Sequence, residues 1–325
     1  MPELPEVETV VRDLRPLATG RTVVGLRRSK LSLRTPWQHA WDAQVVGRKF
    51  GGVRRRGKWI IMELKNLTPQ PPSLGGKGEQ SPSPQGERLG RGSSAALVVH
   101  LGMSGQFTVV PAAEPIPTHL HVVFELDNGT ELRLRDQRRF GLARFHPDLS
   151  ETLAELDAAL GPEPFGYPPE AFRTAMAATK KNLKAALLDQ TVVAGVGNIY
   201  ADEALFRAKL HPARTGASLS GEEAERLREA IELTLTRAVE GRGSTIRDYV
   251  GGSGLRGGFQ NEHAVYGRTG EACPAFGAAI QCVRLAGRAS HYCPSCQLPV
   301  ARRQLLKPRQ GKRPGKRRAA RTGDS

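Results

Sequence analysis

The chain begins with MPELPEVETV at positions 1–10, a stretch that predicts an amino-terminal helix from Pro5 to about Ala18. Proline is favoured in the first turn of a helix, because that turn has no use for its missing N–H. The acidic Glu6 and Glu8 suit the positive end of the helix dipole. The sequence therefore predicts a helix at the start of the fold, with Pro2 and Glu3 immediately before it.

Short runs of β-forming residues follow this helix, and turn signals such as Asp-Asn-Gly at 127–129 separate them. The predicted strands are Thr22–Leu26, Lys58–Leu64, Ala96–His100, Gln106–Val110, His121–Leu126, Glu131–Arg135 and Leu142–Phe145. Strands at this spacing are typical of a sandwich or barrel. From about Pro147 the pattern becomes helical. Helices are expected at Asn182–Leu188, from Asn198, and after a capping box that starts at Ser220.

These patterns predict an α+β fold of several domains. We expect a helix plus β-sandwich at 1–147, a helical domain at 148–263, a β-rich hairpin with the cysteines at 264–301, and a disordered basic tail at 302–325. Residues 66–95 are rich in Pro, Gly and Ser and have no periodicity, which predicts a disordered insertion in a surface loop. A linker is the alternative, although strand signals resume directly after it.

The composition favours a non-membrane protein with a polyanionic partner. The chain has 325 residues, 39% hydrophobic and 25% charged, without an apolar run long enough to cross a bilayer or a signal peptide. We therefore expect a cytoplasmic protein. The net charge is +16, and the tail holds ten bases and one acid, which leaves +7 for residues 1–301. Nucleic acid is the simplest partner for such a charge.

Pro2 and Glu3 are candidates for covalent chemistry. Removal of the initiator methionine would give Pro2 a free secondary amine, and a terminal amine with a pKa of about 8 is partly unprotonated at neutral pH. Attack of this amine on a sugar C1′ gives an iminium ion, a cationic electron sink for later eliminations. Glu3 could donate a proton to the sugar ring oxygen or orient a water. The alternative is that both residues only cap a helix.

The opening stretch resembles the start of the formamidopyrimidine-DNA glycosylases, bacterial enzymes that remove 8-oxoguanine and ring-opened purines. Further blocks occur in the order typical of that family, and they cover nearly the whole chain apart from the insertion and the tail. These blocks are HLGMSG at 100–105, RRFG at 138–141, DQ at 189–190, GVGNIYA at 195–201, VYGR at 265–268, GR at 287–288 and CPSC at 293–296.

The resemblance implies a bifunctional DNA glycosylase and AP lyase that excises oxidised purines and nicks the strand by β,δ-elimination. It implies a helix–two-turn–helix element in the helical domain, a zinc-finger-like hairpin, and a monomer that binds double-stranded DNA with oxidised or abasic lesions. In this resemblance Pro2 is the Schiff-base nucleophile and Glu3 the general acid. Lys58 assists β-elimination, and Arg288 at the hairpin tip assists δ-elimination.

The resemblance also assigns DNA-binding residues. Met103, Arg138 and Phe140 match residues that fill the space left by a flipped base, a task that suits a flexible apolar chain, a donor for the orphaned base and an aromatic wedge. The remaining matches are His119, Lys184 and Asn198, the last expected on a phosphate at the start of a helix. By themselves, Met103 and Phe140 would be ordinary core residues, and Asn198 a good N-cap.

The cysteines predict a metal site with one ligand in question. All four lie in the last sixth of the chain, and Cys293 and Cys296 form an intact C-x2-C pair. The first pair is broken, because Cys273 is followed by Phe276 where the family has a cysteine. Structural zinc uses four ligands. Cys282 is expected to be too distant, whereas His291 could replace the missing ligand, so zinc binding stays open at this point.

Two other functions are compatible with parts of the sequence. The endonuclease VIII type of the same superfamily prefers oxidised pyrimidines, but Leu4, Met103 and the block at 138–140 favour the purine enzyme. A non-catalytic DNA-binding protein with a basic tail is the second alternative, and the presence of Pro2, Glu3 and Lys58 argues against it. A finger without zinc would favour weak DNA binding and low activity.

Overall fold

The computed structural model describes residues 1–30, 33–66, 94–246 and 249–297. The helices are α1 (Leu4–Ala18), α2 (Asp42–Val45), α3 (Leu149–Ala159), α4 (Pro169–Ala178), α5 (Leu183–Leu188), α6 (Asn198–Arg207) and α7 (Gly221–Glu240). The strands are β1 (Val23–Arg28), β2 (Lys49–Arg56), β3 (Trp59–Lys65), β4 (Ala95–His100), β5 (Gly105–Pro111), β6 (Leu120–Leu126), β7 (Thr130–Asp136), β8 (Leu142–His146), β9 (Gln281–Leu285) and β10 (Arg288–Tyr292). Short 3-10 turns lie at His39–Trp41, Gly216–Ser218 and Phe259–Glu262.

The first eight strands form two antiparallel four-stranded sheets, ordered β1-β6-β7-β5 and β2-β3-β4-β8. Their inner faces enclose one apolar core, and the outer face of β3 and β4 packs against leucines of α3. The predicted α+β class with a helix plus β-sandwich is thereby confirmed. The predicted insertion falls mainly on residues 67–93, outside the described residues, and the strands on either side pair directly, with Leu64 opposite Ala95.

Helices α4 to α7 share a second apolar core. Helix α7 begins with the predicted capping box, in which the Ser220 side chain accepts from the Glu223 amide and the Glu223 side chain from the Ser220 amide. The predicted basic tail lies outside the described residues. Within the described part of the chain, every helix is too short or too polar to cross a membrane.

Helix α1 connects the two cores. Its Leu4 packs in the helical core, whereas Val7, Val10 and Leu14 pack in the core of the sandwich. The helix is amphipathic in the usual sense that apolar side chains recur every three to four residues. Consequently the residues that start α1 lie at the junction of the sandwich with the helical region.

Candidate functional site

Glu3 lies at the start of α1, and 2% of its surface is exposed. Its carboxylate reaches the helical region and accepts hydrogen bonds from the amides of Ile199 at 2.9 Å and Tyr200 at 3.4 Å. These amides belong to the first turn of α6, where a helix has no internal acceptor for them. Glu3 therefore lies at the positive end of α6, which stabilises its negative charge.

Two glycines before α6 make this approach possible. A Cβ atom at Gly197 would lie 2.3 Å from Cδ of Glu3, and one at Gly195 would lie 2.6 Å from Cδ1 of Leu4. The Leu4 amide also donates to the carbonyl of Gly195 at 3.0 Å. The two glycines thus admit the first turn of α1, and two amides of α6 are already bonded to Glu3.

Glu6 is the centre of a buried polar network beside Glu3. Its carboxylate accepts from the amides of Glu3 and Ser244, each at 2.7 Å, and from the hydroxyl of Tyr200. The Ser244 hydroxyl continues the network to His263 Nε2 at 3.0 Å. The pKa of Glu6 is raised to about 7, mainly by burial and secondly by the charge of Glu3. The hydrogen bonds to its carboxylate lower the pKa but do not offset this rise. Glu6 therefore changes charge near neutral pH.

Lys58 lies in the tight turn between β2 and β3 and is buried. Burial lowers the pKa of its ammonium, whereas the charges of Glu3 and Glu6 raise it and that of Arg288 lowers it again. The turn itself requires Gly57, which has a φ of +54°. Lys58 thus lies within electrostatic reach of Glu3 and of Arg288, although the three residues come from separate segments.

Arg288 occupies the tip of the hairpin formed by β9 and β10. Ala286 and Gly287 connect the strands with φ values of +47° and +73°, the pair of positive values that a two-residue hairpin turn uses. Arg288 pairs with Leu285 across this turn and is exposed. The hairpin therefore presents an arginine from its tip, as predicted for a residue that contacts DNA.

Met103 and Arg138 lie on two loops that touch. A Cβ atom at Gly102 would lie 2.5 Å from backbone atoms of Phe140 and Gly141, so the loops approach too closely for any other residue there. Phe140 has 48% of its surface exposed, and the Arg138 guanidinium lies 5.1 Å from the centre of its ring. The loops thus present a flexible, a cationic and an aromatic side chain from neighbouring positions.

Asp136 fixes the conformation of these loops. It is fully buried, and its carboxylate accepts from the Ser104 hydroxyl at 2.6 Å, the Gly141 amide at 2.7 Å and the Arg138 amide at 3.2 Å. The carboxylate orders the loop, because it bonds both ends of it.

A cavity of about 300 Å³ collects five of the predicted site residues. Its lining consists of Met1, Pro2, Glu3, Glu6, Met103, Arg138, Asn198, Ile199, Ser244, Ile246, Tyr249 and Tyr266. The Oδ1 atom of Asn198 is buried and has no hydrogen-bond partner among the described residues. Such an orphaned acceptor is costly unless a ligand or water satisfies it. His119 does not line this cavity.

Lys184, which the resemblance assigns to DNA binding, is enclosed by protein in the structure. It has no exposed surface, and its ammonium donates to Asp202 Oδ1 and to the carbonyl of Asn198, both at 2.6 Å. The enclosed ammonium cannot contact DNA in this conformation. Lys184 instead holds together the two segments that it bonds. The ion pair joins α5 to α6, directly behind the Asn198 turn.

Asp202 and Glu203 connect α6 to the carboxy-terminal hairpin. The other oxygen of Asp202 accepts from the backbone amide and from Nδ1 of His291, both at 2.9 Å. Glu203 accepts from three successive amides, those of residues 264–266, at 2.8–3.0 Å. Sequence analysis missed both roles, since two adjacent acids on a helix ordinarily indicate a solvated surface.

Three cysteines form a compact cluster. The sulfur atoms of Cys273, Cys293 and Cys296 all lie within 4.8 Å of one another, and the first and last are 3.6 Å apart. Cys282 is exposed on β9 and lies outside the cluster, as predicted. The suggestion that His291 supplies the missing ligand is wrong, because its ring nitrogens do not belong to the group of ligand atoms that lie within 4.8 Å of one another. The three cysteines could therefore hold a metal ion, with no fourth ligand among the described residues.

The electrostatics of the cluster fit a cation. Burial and the neighbouring thiols raise the pKa of Cys296 to about 12. Three thiolates so close together cannot all be charged in a buried site without a positive ion between them. Tetrahedral coordination with Zn–S bonds of about 2.3 Å implies sulfur separations of about 3.8 Å. The observed geometry is compatible with that arrangement.

Sequence models of known protein domains match two parts of the chain. The formamidopyrimidine-DNA glycosylase N-terminal domain matches residues 1–143, and the formamidopyrimidine-DNA glycosylase H2TH domain matches residues 160–250. Two curated relatives are the formamidopyrimidine-DNA glycosylases of Symbiobacterium thermophilum and Geobacillus kaustophilus, each 42% identical. The alignments cover 98% and 91% of this chain, and 95% and 100% of the relatives.

Solved structures with the same fold include DNA complexes. A mutant Lactococcus lactis Fpg bound to Fapy-dG-containing DNA aligns with a TM-score of 0.78 and 31% identity, covering 92% of this chain and all of that one. A complex between the Lactococcus lactis Fpg and DNA containing an abasic site aligns with a TM-score of 0.77 and 31% identity, covering 91% of this chain and all of that one. The Thermus thermophilus MutM protein gives 0.72 and 39% over 91% of this chain and 98% of that one.

Proposed function

Because the chain belongs to the formamidopyrimidine-DNA glycosylase family, we propose that it uses Pro2 to excise oxidised and ring-opened purines from DNA. It is a bifunctional DNA glycosylase and AP lyase. The observation that carries the assignment of roles is the cavity that collects Pro2, Glu3, Met103, Arg138 and Asn198 from four segments of the chain. Its substrate is 8-oxoguanine or formamidopyrimidine in duplex DNA, which the protein binds as a monomer.

Pro2 and Glu3 perform the first step together. Glu3 accepts the proton of the Pro2 ammonium, and the freed nitrogen forms a bond to C1′ as the bond from C1′ to the base breaks. The electron pair of the broken bond leaves with the base, which takes up the second proton of the Pro2 nitrogen. Glu3 then gives its proton to the ring oxygen, which opens the sugar and leaves an iminium ion. The amides of Ile199 and Tyr200 hold the Glu3 carboxylate in place throughout.

Lys58 and Arg288 serve the eliminations that cut the strand. The iminium ion acidifies C2′, so loss of a proton there expels the 3′ phosphate, and loss of the C4′ proton then expels the 5′ phosphate. Both departing groups are anions, and charge-assisted hydrogen bonds from a lysine and an arginine stabilise them. Burial lowers the pKa of Lys58, which makes it easier for this ammonium to exchange protons.

The two touching loops replace the base that leaves the stack. Flipping a nucleotide costs a few kcal/mol, and filling the gap offsets part of that cost. Met103 supplies a flexible filler, Arg138 donates to the unpaired partner base, and the exposed Phe140 inserts as a wedge. Asn198 is the first residue of α6, and its Oδ1 atom has no hydrogen-bond partner among the described residues.

The cysteine cluster holds zinc in this proposal. Zinc would be bound by Cys273, Cys293 and Cys296, and its chemistry there is structural, because it ties the two cysteine turns of the hairpin together. The hairpin in turn carries Arg288. The protein's residues alone account for every bond made or broken in the DNA.

Borohydride trapping tests the nucleophile. The protein is mixed with a duplex containing 8-oxoguanine opposite cytosine, the reaction is reduced, and the amino-terminal peptide is analysed by mass spectrometry. We expect a covalent sugar adduct on Pro2 in protein that has lost Met1. Duplexes with guanine or with an oxidised pyrimidine serve as controls for lesion preference. Efficient cleavage without an adduct, or by protein that retains Met1, contradicts the proposal.

A further inference from the structure

Two turns of the hairpin module share one backbone geometry. The first knuckle comprises residues 273–277 and the second knuckle residues 293–297, and each opens with Cys-Pro. In the first, the amide of Gly277 donates to the carbonyl of Cys273 at 2.8 Å; in the second, the amide of Gln297 donates to the carbonyl of Cys293 at 3.0 Å. The first knuckle therefore keeps the shape of a metal-binding turn.

In both knuckles a backbone amide also donates a hydrogen bond to a cysteine sulfur atom. The amide of Ala275 donates to Sγ of Cys273, and the amide of Cys296 donates to Sγ of Cys293, each at 3.4 Å. Such bonds favour the charged thiolate over the thiol. The difference lies in the fourth residue of each knuckle. In the second it is Cys296, a member of the cluster, whereas in the first it is Phe276, with 66% of its surface exposed.

The described residues supply no replacement for this ligand. The sequence has four cysteines and eight histidines, all of them at described positions. Cys282 and His291 do not belong to the group of ligand atoms that lie within 4.8 Å of one another. Among the described residues no carboxylate joins the three sulfur atoms either. The described part of the chain therefore offers three ligands where a structural zinc site uses four.

We propose that the metal site of the hairpin keeps its fourth coordination position open to a small exogenous thiol, which solvent replaces when no thiol is present. The proposal rests on the zinc site proposed above. A zinc ion with three protein ligands has a fourth coordination position that a small molecule can occupy and leave. A thiolate-rich site favours a further soft sulfur donor over oxygen donors. Phe276, at the position of the missing ligand, is largely exposed to solvent.

Anchors independent of the metal allow the site to remain open. Asp202 and Glu203 bind five backbone and side-chain N–H groups of the module, as described above. In addition, the Gln297 side chain donates to the carbonyl of Leu210 at 2.8 Å and accepts from the Cys293 amide at 2.8 Å. The module thus stays on α6 while the metal exchanges its fourth ligand.

Cobalt absorption of the full-length protein tests the proposal. Co²⁺ bound to tetrahedral thiolate sites gives visible bands that change with the ligand set. Mercaptoethanol is added to the Co²⁺-loaded wild type, to Phe276→Cys and to Phe276→Ala. We expect the bands to shift in the wild type and in Phe276→Ala, and to stay unchanged in Phe276→Cys, whose site is complete. A chelator should also remove metal from the wild type about ten-fold faster than from Phe276→Cys.

The outcomes separate the two proposals. Metal analysis that finds no cobalt or zinc in the wild type overturns the zinc site itself, and with it the open position. One bound metal whose spectrum does not respond to mercaptoethanol overturns the open position only. The wild-type spectrum alone decides this point, so the result stands even if Phe276→Cys folds poorly.

Discussion

Helix α6 serves two regions that differ in how much change they tolerate. Its first turn receives Glu3 through the space beside Gly197, where no atom can be added. Its second turn sends Asp202 and Glu203 to the hairpin, where several independent bonds hold a module that lacks one cysteine. The position of Glu3 thus depends on one close contact with Gly197, whereas the hairpin is held on α6 by several independent hydrogen bonds.

The largest effect is expected when Glu3 loses its charge. Glu3→Gln should lower the rate of base excision by about 10²–10⁴-fold, because a general acid is removed while the shape is kept. Single-turnover excision of 8-oxoguanine measures this rate. Cleavage of a preformed abasic site should suffer less, because its sugar opens without the acid. Glu8→Gln, on the same helix but outside the cavity lining, is the matched control, and near-wild-type excision by Glu3→Gln would refute the assignment.

Asp202→Ala tests the strength of the anchors. The substitution leaves the buried Lys184 without its partner and releases His291, which should lower the free energy of unfolding by about 3–5 kcal/mol. Denaturant unfolding measures the change. Asp157→Ala breaks an ion pair with Arg56 in which Asp157 is 67% exposed, and should cost less than about 1 kcal/mol. Equal losses in the two variants would mean that Asp202 is no anchor.

The pKa of Glu6 predicts a pH dependence at the catalytic end. Its folded-state pKa of about 7 lies above the ordinary 4.5, so folding favours the protonated form. The stability contribution is present below pH 4.5 and is lost as pH rises to 7, by roughly 3 kcal/mol in total. Unfolding free energies across this range should fall less steeply for Glu6→Gln than for the wild type. Parallel slopes would show that Glu6 does not titrate there.

Gly197→Ala should give a smaller but measurable loss. The added methyl displaces the Glu3 carboxylate or α6, at a cost of about 1–3 kcal/mol in stability together with slower excision. Thermal unfolding and excision kinetics measure both. Gly221→Ala is the control, since no atom lies within 4 Å of the added Cβ and alanine suits the first turn of α7. A variant at 197 with wild-type activity would show that the fit is not tight.

Elements with strong local signals could be predicted from the sequence. Helix α1, the capped start of α7 and seven of the first eight strands follow from proline placement, capping and alternation. Strand β2 was not predicted, because its sequence KFGGVRRR has only two apolar residues, Phe50 and Val53. It joins the edge of the sheet by pairing with β3. Pairing between strands cannot be predicted from a local sequence pattern.

The site was predicted unevenly for a similar reason. Pro2, Glu3, Met103, Arg138 and Asn198 belong to short motifs, and they do line one cavity. Glu6 looked like a residue for the helix dipole, and its network with Tyr200 and Ser244 spans more than two hundred residues of chain. Lys184 looked like a DNA contact, although its partner Asp202 encloses it. Burial and pairing across the chain decided these roles.

The buried position of Pro2 has a practical consequence for handling the protein. Pro2 and Glu3 lie inside the molecule, and Leu4 is bonded to Gly195 directly behind them. Any affinity label fused ahead of Pro2 must run out through the cavity and turns the proline nitrogen into an inert amide. Affinity labels should therefore be kept away from the amino terminus, or be removed by a protease that leaves no extra residue ahead of Pro2.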